Sequence, residues 1–457
     1  MMQRKKNLSV IAAGCFLLCG AVFADVGAAA AAARPPEQKQ TPSTERNPSM
    51  DWKLFVPASM DAPEYRAENG VLTLKFPDDR GAAFIEKEFH DLTGEAVKIH
   101  VATDADPALN NRVGVVAKFM RDAEYSISTW YLDPSVGPDG KLVFDGTFDL
   151  DGATYCILSL YGKWFAGSVT FRDVRLEAAP AIPIRRARIV TTRITPPGPS
   201  SCEANRKLIA EMLDRIAEEV EKPDLVLFSE CLADRWDPRP IKERAEPLEG
   251  PTFQLLSKWS KAHKCYTVMG IHELENDRVY NTAYIVGRDG KLVGKYRKCH
   301  LTWGESRNGI LPGKGFPVFE LDFGKVGMQI CWDDWFGETA RGLRLNGAEV
   351  ILMPIAGDGS VNHRDHVWAA RALENGVYLV SSTTCMSKDG VAASRIYAPD
   401  GNILAQMAEN FHYAVADITL PFKELRRGLS VGASGGSPRN LYVRERNVEV
   451  TERLTRF

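Results

Sequence analysis

Near Pro180 and Pro183 the apolar period of this 457-residue chain changes, and the change divides what the chain can fold into. Upstream, from Trp52 to about Ala179, stretches such as VLTLKF, AAFIEKEF, AVKIHVAT, VGVVAKFM and YSISTWYL alternate apolar with polar residues and are separated by Gly, Asp and Pro. A period of two sends successive side chains to opposite faces of a strand, so one face of each can be buried. Residues 51–180 are therefore expected to form an all-β sandwich. Downstream the pattern is different. RRARIVTTRI, PDLVLFSE and CYTVMGIHE read as strands, while Leu208, Ile209, Met212, Leu213, Ile216 and Val220 share one face of a helix over 202–221.

The alternation continues to the end. NTAYIVGRDGKLVGKYRKCHL predicts a hairpin turned at Asp289-Gly290, and FPVFELDFGKVGMQIC predicts a second. AEVILMPIA, VYLVSSTTC and SRIYAPDG read as further strands, with a helix near 362–375. Residues 185–457 thus form an α/β domain.

The N-terminus carries Arg4, Lys5 and Lys6, an apolar run from Leu8 to Phe23, and small residues at Val22 and Ala24. This is the layout of a signal peptide over residues 1–24, so the protein is expected to be exported, periplasmic or secreted. The run falls short of the roughly 20 residues that a spanning helix needs, which makes a retained membrane anchor the lesser alternative. Residues 25–50, an alanine run followed by Pro, Gln, Ser, Thr and charges, cannot bury a core and read as a disordered linker.

A net charge of -2, with Lys and Arg spread along the chain, provides no field for nucleic acid. Loss of Cys15 and Cys19 with the leader leaves seven cysteines. An odd, sparse set argues against a disulfide scaffold and leaves a thiol free. No CxxC or HExxH occurs, and His363 and His366, three apart, lack a third partner in sequence; neither a metal nor a cofactor is expected.

Three strand ends carry chemistry. Cys331 closes KVGMQIC just before a helix expected near Glu338, Glu230 closes DLVLFSE, and Lys298 closes KYRK. A thiol at a strand-to-helix turn can be exposed at the end of a sheet, with the next backbone N–H aimed at a developing oxyanion. Each of the three alone would pass as packing or as a solvated terminus. Together they matter, because active sites assemble at the carboxyl ends of strands in parallel-type sheets.

The strand-Glu, YRKCHL and GMQICWDDWFGE segments, in that order, resemble the Glu-Lys-Cys signature of the nitrilase superfamily, the carbon-nitrogen hydrolases. WGESRNGILPGKGFPVFE, RALENGVYLVSSTTC and SRIYAPDGNIL resemble its later segments, so the likeness runs from about Arg186 to the C-terminus. It implies an α-β-β-α sandwich, Glu230 as base, Lys298 as oxyanion partner, Cys331 as nucleophile and Glu305 as a second glutamate. Trp332, His300 and Trp303 are assigned to the substrate pocket. WDDWFGE is closer to the amidase-like branches than to true nitrilases, so a small amide, ureide or N-carbamoyl substrate is expected. The family commonly forms homo-oligomers.

Two rivals stay open at this point. An acyltransferase would intercept the same thioester with an amine instead of water. SVTFRDVRLEAAP, after YCILSLYGKWFAG, resembles the closing strands of galactose-binding-like jelly rolls, which implies a jelly-roll-like accessory domain. A non-catalytic protein would instead bind glycan there, where Trp130, Tyr131, Tyr161 and Trp164 could line a sugar platform, although aromatic residues of sandwiches are more often core.

Overall fold

The computed structural model describes residues 52–123, 126–356, 364–384, 393–422, 443–447 and 450. The expected leader (1–24), the expected linker (25–50), His363 and Cys385 lie outside the described residues. Lys53 to Ala179 form two antiparallel sheets of five and six strands. Alternate residues of each point inward: Leu72, Leu74, Ile99 and Phe144 from one sheet meet Ile85, Val115, Ala117 and Leu158 from the other in a single core.

The aromatic residues here do not share one open face. Tyr161 is buried, Trp130 packs against the core, and Tyr131 donates from its hydroxyl to Glu445 Oε1 at 2.8 Å. Trp164 is exposed, with the Lys163 ammonium 4.4 Å from its ring centre. Two of the four, Trp130 and Tyr161, are thus taken up by packing.

The remainder is mixed α/β and mostly sheet. Its elements run β1 (Arg185–Arg193), α1 (Cys202–Glu219), β2 (Leu225–Leu227), α2 (Pro251–His263), β3 (Tyr266–Glu275), β4 (Arg278–Val286) and β5 (Leu292–Arg297). Then come β6 (Val318–Leu321), β7 (Gly324–Met328), α3 (Gly337–Leu345), β8 (Val350–Ile355), α4 (Arg364–Asn375), β9 (Tyr378–Thr383), β10 (Ser394–Tyr397), β11 (Ile403–Met407) and β12 (His412–Leu420). Ser201 caps α1 by accepting from Ala204 N, and Pro251 opens α2 at the position where a missing N–H is harmless.

With the short strand Ile310–Leu311, which pairs with β4, thirteen strands are hydrogen-bonded together, nine of them along one path, in which β1 and β9 meet through a single residue pair, Arg193 with Thr383. The path turns over there. Ile189, Leu225, Val268 and Ile285 from one half pack against Met328, Leu352, Val380 and Ile396 from the other. The opposite faces are covered by helices. Val190, Val226 and Met269 lie under α1 and α2, whereas Ile351, Met353 and Leu379 lie under α3 and α4. The result is helix, sheet, sheet, helix, and the strands read as unbroken apolar runs because both faces are buried. Among the described residues no helix is long and apolar enough to cross a membrane.

The middle strands carry one glycine that the packing demands. A Cβ on Gly270 would lie 2.8 Å from Glu230 Cα and 3.2 Å from the Ser229 carbonyl oxygen, so the segment after β2 rests directly on the backbone of β3. Gly270→Ala is expected to lower stability by about 1–3 kcal/mol in denaturant unfolding. An unchanged midpoint would contradict this close approach.

Candidate active site

Three loops that follow β2, β5 and β7 build the site. Beyond Leu227 the chain runs through Phe228 and Ser229 to Glu230, which is 4% exposed, and Cys231 then adopts φ 49°. Beyond Arg297 comes Lys298, 2% exposed, whose N–H donates to the Asn281 carbonyl at 2.9 Å and whose carbonyl accepts from Gly313 N at 2.8 Å. Beyond Met328 the chain reaches Cys331 at φ 44°, where a 3-10 turn over Cys331–Trp335 begins. Left-handed backbone at a non-glycine residue costs on the order of 1–3 kcal/mol, and both cysteines carry it beside the same buried charges.

The Lys298 ammonium lies between two carboxylates. Its Nζ is 2.9 Å from Glu230 Oε1 and 3.0 Å from Glu305 Oε1. Asn281 Nδ2 donates to the same two oxygens, at 2.7 Å each, and Glu230 Oε2 accepts from Ala356 N at 2.7 Å, just past β8. Burial pushes the Glu230 carboxyl upward, but Lys298, Asn281 and Ala356 outweigh it and hold it below the ordinary value of 4.5. Burial acts against the charge on Lys298 too. The negative charges of Glu230, Cys331 and Glu305 reverse that and raise it well above 10.5. The segments that follow β2 and β5 thus meet at one place.

Glu305 is fixed by a helix cap. The sequence TWGE places Thr302 before a short helix, Trp303–Arg307; Thr302 Oγ1 accepts from Glu305 N at 3.2 Å and Glu305 Oε2 accepts from Thr302 N at 2.8 Å. This capping box occupies one carboxylate oxygen and leaves the other for Lys298 and Asn281. The motif is legible in the sequence.

Asp333, fully buried, ties the cysteine turn to the lysine loop. Its Oδ2 accepts from Ile330 N at 2.9 Å and from the Tyr296 hydroxyl at 2.7 Å, and its Oδ1 accepts from His300 N at 2.9 Å. His300 turns Nδ1 toward Asp333 at 3.0 Å and stacks on Phe336 with ring centres 4.1 Å apart, so its ring serves as a strut of this turn. Trp303 is 75% exposed, with Arg307 5.0 Å from its ring, and stands apart from the buried charges. Trp332 is 39% exposed and faces Trp335 and Phe336. Asn281 and Asp333 were not singled out from sequence, although a lone amide in the apolar strand VYNTAYIV was a usable sign. None of the six cysteines among the described residues is in a disulfide.

Residues 186–425 match a family described as carbon-nitrogen hydrolase. A nitrilase from Pyrococcus abyssi is 35% identical over 219 residues, covering 47% of this chain and 81% of that protein. An omega-amidase from Xenopus tropicalis is 29% identical over 265 residues, 54% of this chain and 93% of its own. An N-carbamoylputrescine amidase from tomato, Solanum lycopersicum, is 34% identical over 190 residues, 38% of this chain and 63% of that one.

Replacing Lys298 by Met strands two buried carboxylates and is expected to lower stability by about 3–5 kcal/mol. The pH dependence of the ion pair follows from the two directions. Glu230 is lowered, so its contribution is full above 4.5 and is lost as pH falls through the folded value. Lys298 is raised, so its contribution is full below 10.5 and is lost as pH rises toward the folded value. Unfolding free energies compared with the neutral Glu230→Gln/Lys298→Met protein should differ by a constant amount between those limits and converge at acid pH. A slope centred near neutrality would contradict the assignment.

Proposed function

This chain belongs to the carbon-nitrogen hydrolase family, and from that premise we propose that it hydrolyses a small amide, ureide or N-carbamoyl compound through a thioester on Cys331. The observation that carries the reading is the buried Lys298 ammonium shared by Glu230 and Glu305 beside the Cys331 turn. As sulfur attacks the carbonyl carbon, the thiol proton moves to Glu230 and negative charge gathers on the carbonyl oxygen, which Lys298 and the Trp332 N–H receive.

A carboxylate held below its ordinary value is a poor base for a thiol until something loosens that hold. The developing oxyanion does so, because it competes for Lys298 and returns basicity to Glu230 as the proton is needed. Glu305 keeps the ammonium charged and in place throughout. Glu230 then gives the proton to the departing nitrogen as the carbon-nitrogen bond breaks. Water attacks the thioester carbonyl, Glu230 takes its proton, and Cys331 leaves as the thiol once that proton is returned.

The Trp-Asp that follows Cys331, and relatives named as an omega-amidase and an N-carbamoylputrescine amidase, support amides over nitriles. Export rests on the basic and apolar pattern of residues 1–24, and the β-rich region from Trp52 to Ala179 serves in this reading as an accessory to an oligomeric hydrolase. The test is a screen for ammonia release over amides and N-carbamoyl compounds. Wild type should turn over at least one, Glu230→Gln should lose on the order of 10²–10⁴-fold, and Cys331→Ala should be inactive. Full ammonia release by Cys331→Ala would end the proposal.

A further inference from the structure

A second thiol lies one residue from Glu230, with its own buried partners. Cys231 Sγ is 3.5 Å from His272 Nε2 and 3.7 Å from Asn281 Oδ1. His272 and Asn281 are a directly opposed pair on β3 and β4, so the register puts imidazole and amide side by side under the thiol. His272 turns its other nitrogen, Nδ1, to Asp234 Oδ2 at 2.7 Å. Asp234 also pairs with Arg244 at 3.1 Å, while its Oδ1 is buried without a hydrogen-bond partner. One ligand atom each from Cys231, Asp234 and His272 lies within 4.8 Å of the others.

These distances suit a tetrahedral ion. Metal–sulfur and metal–nitrogen bonds of about 2.3 and 2.0–2.1 Å at a tetrahedral angle put S and N about 3.6 Å apart, and a metal–oxygen bond gives nearly the same S to O separation. The carboxylate on the far imidazole nitrogen is the arrangement that fixes the tautomer of a ligating histidine, with Nδ1–H toward Asp234 and the Nε2 lone pair toward the thiol. Thiolate with imidazole selects ions of the zinc and cadmium class over magnesium or calcium.

We propose that Cys231 Sγ, His272 Nε2 and Asn281 Oδ1 form an inhibitory site for a soft divalent cation, with Asp234 orienting the histidine. Binding replaces the S–H bond by a metal–sulfur bond, and the thiol proton leaves to solvent. The thiol holds that proton firmly, because burial and then Asp234, Glu230 and Glu305 all disfavour the thiolate. Arg244 already pairs with Asp234, and Lys298 with Glu230 and Glu305, so the bonds to sulfur and imidazole, and not net charge, hold the ion. The bound ion would polarise the amide that holds Glu230 and Glu305 and would place positive charge beside the proposed base. Inhibition rests on the catalytic reading above; binding does not.

Cadmium titration of full-length Cys331→Ala, read by thiolate-to-metal charge-transfer absorbance, removes the proposed nucleophile from the signal. One saturable equivalent is expected, lost in Cys331→Ala/Cys231→Ser and weakened about 10- to 100-fold in Cys331→Ala/Asp234→Asn. Should the serine variant melt early in the absence of metal, Cys331→Ala/His272→Gln replaces it, with the same loss expected. No saturable band in Cys331→Ala, or a band that survives loss of Cys231 or His272, overturns the site. In the active protein, zinc should suppress ammonia release, and Cys231→Ser should relieve the suppression at least tenfold. Suppression equal in both overturns the inhibitory role. A protein that releases no ammonia from any amide yet gives the cadmium result would refute the catalytic reading and leave the metal site standing.

Discussion

Lys298 is a cation 2% exposed, and little else about this site can be understood without it. An isolated ammonium at that depth would give up its proton. It stays charged because two carboxylates, Glu230 and Glu305, face it at 2.9 and 3.0 Å, and Glu230 in turn stays ionised because it is there. Such a triad is weak support for stability, since desolvation offsets most of its attraction. It gives orientation instead. Each member has a second tether, to the Ala356 N–H for Glu230, to the cap of Trp303–Arg307 for Glu305, and to the backbone of Asn281 for Lys298.

The fold supplies the tethers. Cores on both faces hold β2, β5, β7 and β8 in place. Close approach does the rest: Gly270 lets the Glu230 segment rest on β3, and Gly313 stands where any Cβ would strike the Arg297 carbonyl oxygen at 2.0 Å. Asp333 then locks the turn at Cys331 to the loop after β5 through buried hydrogen bonds.

Much of this was legible in the amino-acid order. The change of period at Pro183, the helix face from Ile209 to Ile216 and the turn at Asp289-Gly290 are local, and local sequence decided them. Glu230, Lys298 and Cys331 were visible because each is a polar group at the end of an apolar run. Asn281 and Asp333 were not, since their importance comes from partners between 24 and 51 residues away, brought near only by strand register and by a turn. Tyr161 shows the same limit: alternation puts it on the face opposite Leu158 and Leu160, but does not tell that it is buried there.

The account stands on Cys331 being the atom that takes the acyl group. Quenching a turning-over mixture of protein and amide within a few turnovers, then weighing the thiol-bearing peptides, reads that directly. An acyl mass on the peptide containing Cys331, absent from Cys331→Ala, is the predicted result. Turnover with no acyl group on that peptide, or with the acyl group on Cys231, would contradict it.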